Sequence, residues 1–298
     1  MNVITRRKQS LLGVFWIAIF TAFWGLIERL GMGIAETYHF SQIVFMRYVV
    51  HLLALLLICL LYRVRRPLQS ARPTAQWSRG ICMWFMPMSF IVVVTVQSGA
   101  NLWAMFWTMP LFVALLARLT LAERQSIFVW TLLIVGFIAM CLVLGVDPMR
   151  VTPSTFLPVL GGLSFAAYVV LSRSLRDEAL VTGLIYTGLV PMLAMLPFAL
   201  LYWQAIQPGD VLRIVAIGLV GLASLYCLDR ALQHVSATWI APLLFGAVVS
   251  ELLIEFLRSA TLPDATQISG SLLLLLVATI LIGSTLFRKD SHVEANRQ

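Results

Sequence analysis

Charge is what this sequence has least of. Of its 298 residues only 11% are charged, while 60% are hydrophobic. A soluble domain of this size carries about a quarter charged residues, so the composition excludes a water-facing surface over most of the chain. The solvent that accepts apolar surface is the bilayer, and the chain reads as a polytopic membrane protein. Its cations outnumber its anions, for a net charge of +8. They lie singly or in short clusters between apolar runs, a distribution that sets membrane orientation and speaks against nucleic acid as a partner.

Cysteine and histidine are as sparse. Cys59, Cys82, Cys141 and Cys227 each sit inside an apolar run without metal-ligand spacing, and His39, His51, His234 and His292 are dispersed. A zinc-binding His/Glu pattern, a Walker motif, a phosphate-cradling glycine loop and a catalytic triad are all missing. The expectation is a chain that is not an enzyme, with neither metal nor cofactor, so that any transport runs on a gradient or is facilitated. Long loops are missing too. The longest, about 63–78, is a short Arg- and Pro-containing link, so no soluble domain is expected. The N-terminal run from Leu11 to about Leu30 is too long for a signal core and lacks a small-x-small cleavage site, which predicts a retained first helix.

What the sequence does contain is apolar runs. Ten are long enough to cross a membrane as helices: 11–32, 40–62, 79–97, 100–118 and 127–146, then 154–173, 181–202, 211–228, 237–258 and 267–287. The runs neither alternate nor stop at strand length, which excludes a barrel. With the N-terminus inside, the inner ends collect Arg6, Arg7, Lys8, Arg63, Arg65, Arg66, Arg72, Arg79, Arg118, Arg124, Arg173, Arg176, Arg230, Arg288, Lys289 and Arg297. The outer side keeps Arg150, Arg213 and Arg258. This bias predicts that both termini are cytoplasmic.

The chain also repeats itself. "ANLWAMFWTMPLFVALLARLTLAERQ" from Ala100 and "ATWIAPLLFGAVVSELLIEFLRSATLPD" from Ala237 share a plan. In each a small residue and an aromatic-rich start precede a proline, an amphipathic exit, a short polar turn and a long apolar closing helix. Five helices per half is odd, so the second half enters from the opposite face. The prediction is an all-α integral membrane protein of ten transmembrane helices in two inverted five-helix repeats, 1–150 and 151–298.

These features, with "FMRYVVHLLALLL" at 45–57, "LAER" at 121–124, "YTGLVPMLAMLPF" at 186–198, "LDRALQHVSATWIAPLLF" at 228–245 and "LPD" at 262–264, resemble the drug/metabolite transporter superfamily, specifically its EamA-type members. The nearest likeness is to the branch that includes S-adenosylmethionine and riboflavin transporters. The resemblance covers nearly the whole chain. It implies a central cavity lined by the first, third, fourth, sixth, eighth and ninth helices. One departure stands out: relatives commonly carry an acid shortly before the second Leu-Pro-Asp, where this chain has Thr261.

Aromatic and charged residues within the spans are the site candidates. Trp16, Phe20 and Trp24 recur every four residues on one face of the first helix. Trp84, Asn101, Trp103, Trp107, Tyr168 and Tyr226 join them as expected substrate-binding residues, suited to a planar, cationic or amphiphilic ligand. For each ring singly, helix packing or lipid contact is the simpler reading. Intramembrane charge is costly and so more telling. Arg47 and Glu251 fall at matching depth, roughly 5 Å to the outer side of the midplane, and are expected to form a charge pair or a coupling site. Two readings of Glu251 stay open, a proton-carrying carboxyl and an ion pair with Arg47. Glu255 and Arg258 read as an interface anchor, with Glu28 and Arg29 at the outer end of the first helix joining that outer polar rim, and Asp229-Arg230 as an inner anchor or gate. Pro110 and Pro242 interrupt the fourth and ninth helices, where missing backbone bonds favour bending.

Together these readings predict a secondary transporter of a small organic metabolite in a bacterial cytoplasmic (inner) membrane, working by alternating access and exporting its substrate. Protons are the candidate coupling ion, and a homodimer is compatible. Two alternatives remain: an importer of a vitamin- or nucleoside-like compound, and a non-transporting component of an envelope-modification complex.

Overall fold

A computed structural model of the chain describes residues 3–94, 100–147, 156–260 and 262–286. The 150/151 division, Thr261, Arg150, Arg288, Lys289, Arg297 and His292 lie outside the described residues. Every regular element among those described is helical. In order they are α1 (Val3–Met32), α2 (Phe40–Leu61), α3 (Pro73–Val94), α4 (Ala100–Phe106), α5 (Met109–Thr120) and α6 (Ile127–Leu144). There follow α7 (Leu157–Ser174), α8 (Leu180–Leu201), α9 (Val211–His234), α10 (Ala237–Ile240), α11 (Gly246–Ser259) and α12 (Ala265–Leu286). A 3₁₀ segment, Ala241–Phe245, joins α10 to α11.

Nine of the described stretches are long and apolar enough to cross a bilayer, and α3, at 22 residues, has the length of a tenth. Helices suit that solvent because every backbone N–H and C=O is satisfied within the segment. The chain is therefore a multi-pass, all-helical membrane protein. α3 begins six residues before the predicted start at 79. Apolarity alone set that start, whereas Pro73, which needs no N–H partner at a first helical position, opens the helix through the polar turn.

The predicted fourth and ninth spans are each broken. Pro110 lies in the first turn of α5, just past the end of α4 at Phe106. Pro242 lies in the 3₁₀ segment between α10 and α11. Neither ring can donate the backbone bond that a continuous helix would require there.

Packing is pairwise. α1 lies along α9 and α11, α2 along α8 and α9, α3 along α7 and α8, α4 and α5 along α7, and α6 along α12. Phe106, Phe165, Tyr168, Leu228 and Phe245 are completely buried at the centre. Leu53, Leu56, Leu57 and Leu60 on α2, and Leu272, Leu275 and Leu276 on α12, are exposed on the outside of the bundle. That surface suits acyl chains and would be untenable in water.

Small residues set how closely the helices approach. A β-carbon on Gly162 of α7 would lie 2.6 Å from the Phe106 carbonyl oxygen, and one on Gly136 of α6 would lie 2.9 Å from the Phe245 ring. At Gly162 the obstacle is backbone, which cannot rotate away. Gly162→Ala is expected to cost about 1–3 kcal/mol and to lower the melting temperature of the detergent-solubilised protein, read by fluorescence-detected size exclusion. Gly209→Ala, where an added β-carbon meets nothing within 4 Å, is the control and should leave it unchanged.

Candidate functional site

α1, α2, α3, α4 and α9 surround a cavity of about 240 Å³. Ligand pockets for drug-sized molecules run to roughly 300–1,000 Å³, so this one suits a small cargo. Its walls include Trp24 and Glu28 from α1, Val44, Arg47 and Tyr48 from α2, Met86 and Pro87 from α3, Trp103 and Phe106 from α4, and Ile217 from α9. The mouth lies at the α1–α2 connection, where the exposed Met32 and Ala35 form its rim.

Two opposite charges line this cavity. The Arg47 side chain lies across α9 at Gly221, where an added β-carbon would come within 2.8 Å of Nε. Its Nε is buried and has no hydrogen-bond partner, and its guanidinium carbon stands 5.5 Å from the Tyr48 ring centroid. Among the described residues Arg47 forms no ion pair. Glu28 lines the same cavity and, among the described residues, forms no ion pair. Glu251, one turn along α11, feels Arg29 and Glu255. The chain of charges then reaches the surface, with Arg29 at 2.8 Å from Glu255 and Arg258 at 3.3 Å from it.

At the opposite end the bundle is closed by a buried ion pair. Arg79 on α3 and Asp229 on α9 meet at 2.5 Å with side chains only 4% and 3% exposed. Arg79 also donates to the Tyr168 hydroxyl at 2.9 Å and lies 4.9 Å from that ring's centroid. A column of rings connects this pair to the cavity floor. Trp24 stacks on Phe106 at 6.1 Å and meets Phe165 edge-on at 5.2 Å, and Phe165 stacks on Tyr168 at 5.6 Å.

Nearer the surface on that side, Glu123 accepts the Thr238 N–H at 3.0 Å and pairs with Arg173 at 3.4 Å. Arg173 donates to the Leu232 carbonyl at 2.5 Å. Glu178, in the α7–α8 loop, accepts from Ser70 at 2.5 Å and Gln76 at 2.9 Å, with Arg72 at 3.5 Å. Burial by itself would raise the Glu178 carboxyl. The two hydrogen bonds and the Arg72 charge outweigh it and hold the group below its ordinary value.

The aromatic and charged residues expected from sequence divide into two groups. The cavity brings together Trp24, Trp103 and Arg47. Phe20 and Trp107 are buried in the core beside Trp24, and Tyr168 belongs to the closing ion pair. Trp16 and Tyr226 meet edge-to-face at 5.7 Å away from the cavity, with Arg230 over the Trp16 ring. Trp84 packs against Phe85, off the cavity wall. Asn101 exchanges two bonds with the Asp147 backbone, at 2.7 and 2.9 Å, pinning the start of α4 to the end of α6. Glu251 forms no ion pair with Arg47 among the described residues and is not in the cavity wall, where Glu28 accompanies Arg47.

Glu28 is the residue that sequence reasoning assigned to the outer rim and that lies instead in the cavity wall. The signal was present: it continues the four-residue spacing Trp16, Phe20, Trp24. The Arg79–Asp229 pair was likewise legible from depth, since Arg79 lies six residues after the start of α3 and Asp229 five before the end of the oppositely directed α9.

No family model matches the chain. It is 23% identical to the S-adenosylmethionine uptake transporter of Rickettsia prowazekii over 281 residues, spanning 94% of this chain and 93% of that protein. The protein of the same name from Rickettsia felis is 24% identical over the same shares. A protein of known crystal structure matches over 92% of this chain and 97% of its own, with a TM-score of 0.78 and 16% identity. That likeness concerns the fold.

Two outcomes follow from the closed end. Asp229→Asn strands a buried Arg79 and is expected to cost about 3–5 kcal/mol, seen as a lower melting temperature. The exchange Arg79→Asp with Asp229→Arg should recover part of that loss. For Glu178, a depressed carboxyl contributes stability above the unfolded value of about 4.3 and loses it as pH falls through the folded value. The gap in melting temperature between wild type and Glu178→Gln, present at pH 6, should therefore close below about pH 4.

Proposed function

We propose that this chain is a secondary transporter that takes up a small organic metabolite across a bacterial cytoplasmic membrane by alternating access. The observation that carries the reading is a central cavity open at one end of the bundle and sealed at the other by the buried Arg79–Asp229 pair. Such an arrangement is one of the two states that alternating access requires. Opening the other way means separating α3 from α9 so that both charges regain water while the α1–α2 mouth closes.

The repeat plan fits. Exchanging each of the first five spans with its counterpart among the last five carries the most extensive packing pairs into one another. α1 with α9 becomes α7 with α3, α1 with α11 becomes α7 with the α4–α5 pair, and α2 with α8 and α6 with α12 map onto themselves. An inverted repeat of 1–150 on 151–298 would produce this symmetry. Together with the motifs, it favours membership of the EamA-type drug/metabolite transporters. The excess of Lys and Arg at the sealed end supports cytoplasmic termini and an open mouth facing outside. The broken spans at Pro110 and Pro242 are the bending elements.

The relatives named as S-adenosylmethionine uptake transporters favour import over the export expected from sequence. A solvent-reaching cavity with two charged walls has no use in a purely structural subunit. Glu251, without an ion-pair partner among the described residues, is the candidate proton carrier.

Sidedness of the cavity tests the reading without knowledge of the substrate. In a chain with Cys59, Cys82, Cys141 and Cys227 replaced by serine, Ile43→Cys should be labelled by an impermeant thiol reagent from outside intact cells. In inverted vesicles it should resist labelling. Adding Asp229→Asn should make it reactive from that inner side. A cysteine unreactive from both sides in both backgrounds would sink the transporter reading.

A further inference from the structure

We infer that the cavity recognises a zwitterion, with Arg47 receiving a carboxylate and Glu28 a cationic amine or sulfonium, each against an aromatic wall. The inference deepens the transport reading and rests on it. Two opposite charges line one small cavity and do not pair with each other. An unpaired charge within a span is costly and marks a place where something else completes it.

The geometry of Arg47 suits a carboxylate. One edge of its guanidinium, Nε and one terminal nitrogen, rests on Gly221, its Nε is buried without a partner, and the residue lines the cavity. A planar fork fixed in this way offers parallel N–H donors to a carboxylate, the strongest of the common charge-assisted hydrogen bonds. Among the described residues no acid forms an ion pair with it. Glu28, from α1, lines the same cavity and is not within ion-pair distance of Arg47.

The rest of the wall is aromatic. Trp24 and Glu28 are one turn apart on α1, so a cation held by Glu28 also lies beside an indole. Trp103, Phe106 and Tyr48 complete the enclosure. Rings of this kind attract amine and sulfonium charge through their faces and stack on flat groups. An α-amino acid with a sulfonium or planar side group satisfies all three walls at once. A simple anion leaves Glu28 unpaired, and a simple cation leaves Arg47 so.

Binding to the purified full-length protein in lipid nanodiscs tests this, by tryptophan fluorescence with three probes. S-Adenosylmethionine has carboxylate, amine and sulfonium; decarboxylated S-adenosylmethionine lacks the first; S-adenosylhomocysteine lacks the last. Wild type should bind S-adenosylmethionine at least about tenfold more tightly than the decarboxylated probe. Arg47→Gln should abolish that preference, weakening S-adenosylmethionine about tenfold or more while changing the decarboxylated probe less than about twofold. Glu28→Gln should weaken S-adenosylmethionine more than S-adenosylhomocysteine. Arg47→Lys, which keeps charge and loses the fork, should fall between wild type and Arg47→Gln.

The decarboxylated probe also reports folding, since a misfolded variant loses every probe alike. In that case Arg47→Lys decides: a preference unchanged from wild type overturns the inference. So does a wild type that ignores the carboxylate, or one that binds none of the three. Each of these results leaves the cysteine labelling untouched, so failure of the substrate class is distinguishable from failure of the transport reading.

Discussion

Burying an arginine and an aspartate in the middle of an apolar bundle is unfavourable for each alone, because neither recovers in protein what it loses in water. At Arg79 and Asp229 the loss is offset by direct contact and by a third group, the Tyr168 hydroxyl. That requirement ties α3, α7 and α9 to one relative placement. It also makes the closure two-valued. The two side chains are either in contact and dry or apart and hydrated, and any intermediate separation leaves charge in a poor solvent. On the proposed alternating access, that cost would disfavour arrangements in which the pair is parted but still dry.

The opposite half of the same space is built on the reverse rule. There the resident charges are kept from meeting. Arg47 is spread over Gly221, and Glu28 belongs to a different helix. Between the two regions runs a column of rings from Trp24 and Phe106 through Phe165 to Tyr168. The column ends at the Tyr168 hydroxyl, which accepts a hydrogen bond from Arg79. The cavity and the seal are thus neighbours through packing and not through a shared charge.

Most of the architecture was legible in the sequence because the bilayer imposes it. Apolar run length predicts most span limits to within a few residues, but α1 begins before the predicted 11 and α9 runs on past 228 to His234, and the misjudged start of α3 came from treating a polar turn as a loop although Pro73 opens a helix there. The interruptions at Pro110 and Pro242 were legible for the same local reason. Side-chain partnerships were harder. Matching depth along two helices placed Arg47 level with Glu251, but depth says nothing of azimuth, and it is Glu28 that accompanies Arg47 in the cavity wall. Aromatic spacing marked the correct face of α1, yet only Trp24 of that stripe reaches the cavity, because α9 covers Trp16. What a helix face meets depends on its neighbours, and composition does not carry that.

The glycine beneath Arg47 has a kinetic meaning as well. An arginine anchored by a resident carboxylate must break that bond before it accepts a cargo and remake it afterwards, and each exchange adds a barrier. An arginine positioned by shape, resting on a residue with no side chain, has nothing to exchange. On the zwitterion proposal, Gly221 positions Arg47 without a resident ion pair among the described residues, so the exchange of a ligand there breaks none.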